Sequence, residues 1–405
     1  MVRSGSLVAV GAVLAAAPAD GQELAPLLDV RARYEHVEQA DLPQDSDALI
    51  LRVRAGASAT SGPWSALVEG QALYAVVDHY NDGLHGPATR PLIADPENIA
   101  LYRAQVQYRS DAVLLTVGRQ RIALDDERFV GNVAFRANAQ TFDAVRAEIT
   151  PAAEVKADLT YSWDVRTIWG IEGTGARPQS VRGDKIFVNL SWDSPAGKLT
   201  GFAYLIDQDD PAVQGYRLSS QSYGLRLAGI QPVGGGWSLA YQLSHALQKN
   251  WRNNPNDYRA GYWLADAAAE NGGWRLGGGY EVLGANDKSG AGAPLTSFQT
   301  PLGTNFKFQG WADEFLTTPP DGLRDLYVYG QHSFGRVGPV EGLALQATWH
   351  WFRSDRQDRP YGRELDLLAT ATLRDTLLSL RYAHYDAQNW ASDTDKFWLQ
   401  LDWTM

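Results

Sequence analysis

Long runs that alternate apolar and polar residues limit this chain more than any other feature. In Leu28, Val30, Ala32 and Tyr34 every second residue is apolar, and Asp29, Arg31, Arg33 and Glu35 lie between them. The same pattern holds over the eleven residues from Ala153 to Trp163. A strand sends alternate side chains to opposite faces, so each run has one apolar and one polar face. Strands of soluble sheets average about 5–6 residues. Runs of about 9–11 match a tilted strand crossing a bilayer.

About eighteen such segments can be marked, beginning near Leu28, Ala48, Trp64, Ala100, Val113, Thr141, Ala153, Lys185 and Lys198. The later ones begin near Gln221, Trp237, Tyr258, Trp274, Leu326, Leu343, Leu365, Leu377 and Lys396. Their connections alternate in length. Ser61-Gly62-Pro63, Ser110-Asp111, Pro151-Ala152, Ser194 to Gly197, Asn271 to Gly273 and Arg374-Asp375 are short. Residues 79–98, 121–140, 164–184 and 284–324 are long. Short turns at one end and long loops at the other predict an all-β fold: a transmembrane antiparallel up-and-down β-barrel of about 18 strands. A soluble sandwich has no reason to keep that alternation through nine hairpins.

The start of the chain fits export. Arg3 precedes an apolar stretch from Leu7 to Ala17, and Ala17-Pro18-Ala19 has the small residues of a cleavage site. Residues 1–19 therefore read as a signal peptide and residues 20–405 as one barrel domain. The apolar stretch is too short to span a bilayer as a helix. There is no Cys, which excludes disulfides and Cys-ligated metals. The formal net charge of −11 disfavours a nucleic-acid partner.

Aromatic placement points the same way. Trp64, Trp192, Trp237, Trp274 and Trp403 all stand beside short turns, as an interfacial girdle would. The final alternation, Phe397, Leu399, Leu401, Trp403 and Met405, resembles the terminal strand by which barrel-assembly machinery recognises such proteins.

With the apolar set toward lipid, the inner set should be polar. It comprises Asp29, Arg31, Arg33 and Glu35, then Arg52 and Arg54, then Arg103, Gln105, Gln107 and Arg109. Arg146, Arg226, Arg275 and Arg381 follow. Two readings stay open. Arg rows in a narrow aqueous pore select anions and can grip carboxylates in bidentate fashion. Alternatively, Asp29, Glu35, Glu148, Glu154 and Asp158 neutralise them in a structural lattice.

Catalytic patterns are weak. The seven His residues are scattered, and neither a Gly-x-Ser-x-Gly elbow nor a His-Glu-x-x-His site occurs. No metal site, cofactor or enzymatic activity is expected. The alternative class is a barrel enzyme acting on lipid or polysaccharide.

Several stretches resemble the alginate-export family of outer-membrane porins. They are Gly118-Arg119-Gln120-Arg121-Ile122, Asp126 to Gly131, Thr141 to Arg146, Phe306 to Phe315 and Thr317 to Tyr327. The resemblance covers nearly the whole mature chain. It implies a monomeric eighteen-stranded barrel in a Gram-negative outer membrane, with an Arg-lined conduit for a polyuronate. It also implies that Arg119, Arg121, Arg128, Arg136 and Arg146 are pore or constriction residues, oriented by Asp126 and Asp143. Residues 121–140 and 284–324 are the lid candidates. The partners expected are outer-membrane lipid or lipopolysaccharide, the assembly machinery, and an anionic saccharide or small anionic solute.

Overall fold

A computed structural model describes residues 23–211, 215–287 and 294–405. The proposed signal peptide lies outside the described residues. The strands are β1 (Glu23–Gln39), β2 (Ser46–Ser61), β3 (Trp64–His79), β4 (Asn98–Arg109), β5 (Val113–Gln120) and β6 (Thr141–Ala152). They continue as β7 (Val155–Arg166), β8 (Ser180–Ser194), β9 (Gly197–Ile206), β10 (Ser220–Gly234), β11 (Trp237–Asn250) and β12 (Arg259–Asn271). The last are β13 (Trp274–Leu283), β14 (Leu323–Val337), β15 (Val340–Arg353), β16 (Pro360–Leu373), β17 (Thr376–Ala387) and β18 (Thr394–Thr404). Each strand pairs antiparallel with its neighbours in sequence. β1 also pairs with β18, from Asp29 opposite Thr404 to Gln39 opposite Thr394, and this closes the barrel.

Each of the eighteen expected segments is a strand. β8 and β16 start five residues earlier than their alternation suggested, at Ser180 and Pro360. There the outward positions are charged, with Arg182 and Asp184 on β8. The hydrogen-bonded ladder continues where the apolar signal stops.

The outer face is apolar. Val68, Val106, Leu190, Leu225 and Leu276 are all about half exposed and point away from the barrel. Trp64, Trp192, Trp237 and Trp274 ring the short-turn end in the same way. Gly272 and Gly273 both have positive φ (55° and 87°), which a two-residue hairpin matched to strand twist requires.

The interior departs from expectation. Its short-turn half is polar, with inward residues such as Gln107, Thr116, Asp158, Asn189 and Ser191. Its long-loop half holds an apolar core of Phe142, Phe187, Phe202, Tyr262, Phe298 and Phe352 with their neighbours. The wholly polar lumen is therefore corrected. Inward aromatic positions on the upper strands pack against loops that fold into the barrel.

Candidate functional site

Two loops meet inside the barrel. One, residues 121–140, leaves the wall early because β5 is only eight residues long. The other joins β13 to β14 and spans residues 284–322. Val130 and Leu302 form a parallel bridge between them. The Gly131 N–H donates to the Leu302 carbonyl, and the Thr304 N–H donates to the Glu127 carbonyl, both at 2.9 Å. Phe135 stacks on Phe306, with centroids 3.5 Å apart and planes 7° from parallel. Arg136 donates to Asp313 at 2.6 Å. Glu127 accepts from the Thr304 hydroxyl at 2.7 Å and pairs with Lys307.

The paired loops are tied to the wall. Arg128 Nε donates to Glu281 on β13 at 2.7 Å, and its Nη1 reaches Thr300 and Asn305 at 3.2 Å. Gln309 also donates to Glu281. The Ala312 N–H donates to Glu364 Oε1 at 2.7 Å. Next to it, Gly310 (φ 78°) lies so close to Glu364 that an added Cβ would stand 2.1 Å from Oε2. On β1, Arg31 donates to the carbonyls of Ala134 and Phe135 at 3.0 and 3.1 Å. Asp95, in the β3–β4 loop, accepts from the Ala137 N–H at 2.6 Å and pairs with Arg33.

These contacts set the ionisation of the loop groups. Burial alone would raise the Glu127 carboxyl, but Lys307 and Thr304 more than offset it and hold it below its usual value. Burial also opposes the charge on Arg136. Glu35, Asp313 and Asp95 outweigh that and raise its pKa.

The inward arginines are mostly neutralised. Arg31 pairs with Asp402 at 2.6 Å, Arg52 with Asp29, Arg103 with Glu69 at 2.6 Å, and Arg226 with Asp126 at 3.5 Å. Arg146 donates to Asp158 at 3.0 Å and lies 3.3 Å from Glu148. Asp126 is held in turn by Gln242 at 2.5 Å. The lattice reading thus describes most of the wall through Asp29, Glu35, Glu148 and Asp158, with Asp95, Asp313, Glu281, Glu69 and Asp402 added. Glu154, by contrast, is exposed in the β6–β7 turn and makes no ion pair among the described residues.

Arg54 and Arg381 differ. Arg54 lies over Tyr102 at 3.8 Å and donates to Gln71 and the Ala137 carbonyl. Arg381 stands 4.9 Å from the Trp311 ring, 5.4 Å from Phe135 and 5.7 Å from Phe306. Among the described residues no carboxylate ion-pairs with either. Arg121 is exposed just past the end of β5 and also makes no ion pair among them.

Arg119 and Asp143 belong elsewhere. Thr116 and Gln120 are buried toward the interior, so Arg119 alternates outward with Leu115 and Val117. Asp143 alternates with Val145 in the same sense and accepts from Nε and Nη2 of Arg119, both at 2.8 Å. The pair sits on the outer wall and does not line the lumen.

Tyr102 had no periodic signal. A register shift between β3 and β4 turns both Tyr102 and Arg103 inward. Asp95 and Asp313 lie in loops, where alternation says nothing.

Below the paired loops a cavity of about 410 Å³ opens toward the short-turn end. Arg109, Arg146, Lys156 and Lys198 line it, opposed by Asp125 and Asp158.

A closed lipid-facing barrel with loops narrowing its interior defines an outer-membrane channel of the porin class. Several solved barrels share the fold. Pseudomonas aeruginosa OpdL superposes with a TM-score of 0.67 at 16% identity, covering 95% of this chain and 99% of that one. Acinetobacter baumannii OccAB3 gives 0.68 at 13%, with 95% and 99% covered. P. aeruginosa OpdK, solved with vanillate, gives 0.66 at 13%, with 95% and 98% covered. No curated protein matches the sequence. The family model described as alginate export matches residues 24–276, and the chain belongs to that family. It is a protein of the Gram-negative outer membrane.

Proposed function

We propose that the barrel passes anionic solutes, uronate-containing saccharides among them, past an arginine-lined constriction. The observation that carries this reading is the pair Arg54 and Arg381. They are guanidiniums without a carboxylate, set on aromatic rings at the paired loops. A guanidinium fork takes a carboxylate in bidentate geometry. The neighbouring rings Tyr102, Trp311 and Phe306 are buried and hold the two guanidiniums in place by cation–π contact. The family's export of a polyuronate and the vanillate found with OpdK both support carboxylate-bearing cargo.

The test is single-channel conductance in a planar bilayer with reversal potential under a salt gradient. Anion selectivity and block by oligouronate are expected. Arg381→Gln should weaken that block by about tenfold, the worth of one charge-assisted pair. Cation selectivity, or block indifferent to Arg54 and Arg381, would remove the reading.

A further inference from the structure

The outer wall of β5 to β8 carries charge where a lipid-facing sheet is expected to be apolar. Arg119, Asp143, Asp164 and Arg182 stand in register across these four strands. Arg166 stands two residues beyond Asp164 on β7, opposite Thr141. All of these face outward. Val165 is fully buried toward the interior and its register partner Val181 packs against the same core, which puts Arg166 and Arg182 on the other side of their strands. Half-exposed Tyr161 and Trp163 lie just beneath, their rings 6.4 Å apart.

Height explains why charge is tolerated here. A strand climbs about 3.3 Å per residue and tilts by roughly 40° in such barrels. Arg166 therefore stands roughly 30 Å above the short turn before Val155, and Arg182, opposite Asp164, slightly lower. The apolar band is about 25 Å tall. Both guanidiniums emerge at the level of the outer-leaflet headgroups, with the aromatic pair at the interface below them.

The charge balance leaves one cation open. Asp143 is taken by Arg119. Asp164 lies 3.9 Å from Arg166. Asp184 accepts from the Tyr161 hydroxyl at 2.8 Å and from Arg252 at 3.3 Å. Arg182 is exposed and makes no ion pair among the described residues. Arg166 has Arg119 and Arg182 near it as well as Asp164 and Asp143, and the two other arginines stand at the ends of the row.

We propose that Arg166 and Arg182, backed by Arg119 and floored by Trp163, form a binding site for the phosphorylated headgroup of an outer-leaflet glycolipid. Guanidinium forks match phosphate oxygens, and basic clusters at a headgroup level are the usual lipid-phosphate recognition device. The indole and phenol rings accommodate the sugar and the first acyl carbons. The site lies outside the lumen, so it does not depend on what the pore passes.

The experiment is native mass spectrometry of the detergent-purified barrel titrated with diphosphorylated lipid A, with inorganic phosphate run separately. One lipid should bind the wild type. Arg166→Gln with Arg182→Gln should weaken it about tenfold, the loss of charge-assisted hydrogen bonds. Arg336→Gln, at a short turn on the far side of the band, should not. Equal lipid binding by wild type and double variant overturns the proposal. Variant-sensitive binding of inorganic phosphate without lipid binding overturns it too, since the site would then be a plain anion patch. Heat-modifiable gel mobility reports folding. Should the double variant fail to fold, Arg182→Gln alone carries the same comparison.

Discussion

Arg128 and Glu281 meet at 2.7 Å with each side chain no more than 3% exposed, so the loop that narrows the barrel is held to its wall by a fully enclosed ion pair. Removing one partner leaves the other charge buried and alone, which typically costs about 3–5 kcal/mol. Glu281→Gln keeps the volume and removes the charge. It should release the loops locally while the sheet stays closed. Single-channel records would then show larger conductance and more frequent transitions than wild type. Unchanged traces would mean that the loops are held elsewhere.

Glu127 and Lys307 make a second tie, with a definite pH dependence. The folded-state pKa of Glu127 lies below its ordinary value of 4.5. Its contribution is therefore fully present above that value and is lost as pH falls through the folded one. Opening transitions should become more frequent as pH drops below the ordinary carboxylate range. Lys307→Met should flatten this response, because it removes the charge that depresses Glu127. The check is event frequency against pH for the two proteins. Parallel curves would place the acid response on other groups.

The assignment of faces can be tested by a matched pair of substitutions. Val106 is half exposed on the lipid side of β4, and Gln107 points inward, where it donates to Thr116 at 2.9 Å. Val106→Arg, two residues from the level of Trp64 and Tyr108, should cost more than the ~0–1 kcal/mol of an interfacial arginine and less than the ~2–4 kcal/mol of one at mid-depth in bilayer-refolded protein. Gln107→Arg should cost far less and alter ion selectivity instead. Denaturant unfolding in vesicles measures both. Similar losses would indicate a register different from the one described.

How far the fold could be read in advance depended on where side-chain period is enforced. Lipid requires apolar residues on one face of every strand, so the strand count and the turn alternation were legible. The Arg119 reading went astray because a family motif was followed over the strand's own pattern. Leu115 and Val117 already placed residue 119 on the lipid side. Tyr102 was hidden because a bulge inserts one residue and reverses the count beyond it. The loop contacts were not legible at all. Val130 meets Leu302, and Phe135 meets Phe306, across the eight strands from β6 to β13, and no local pattern encodes such a meeting.

Closure of the barrel through β1 and β18 also sets an order of events. Arg128 finds its side-chain partners 153, 172 and 177 residues further along the chain. Contacts that distant are entropically slow and follow local hairpin formation. They also require the sheet to have curved until its first and last strands meet, since only then do the two loops share one interior. A half-assembled sheet would hold every hairpin and no constriction. Narrowness in this protein is therefore acquired late, and a stalled assembly intermediate would be a wide, leaky object rather than a weaker version of the finished channel.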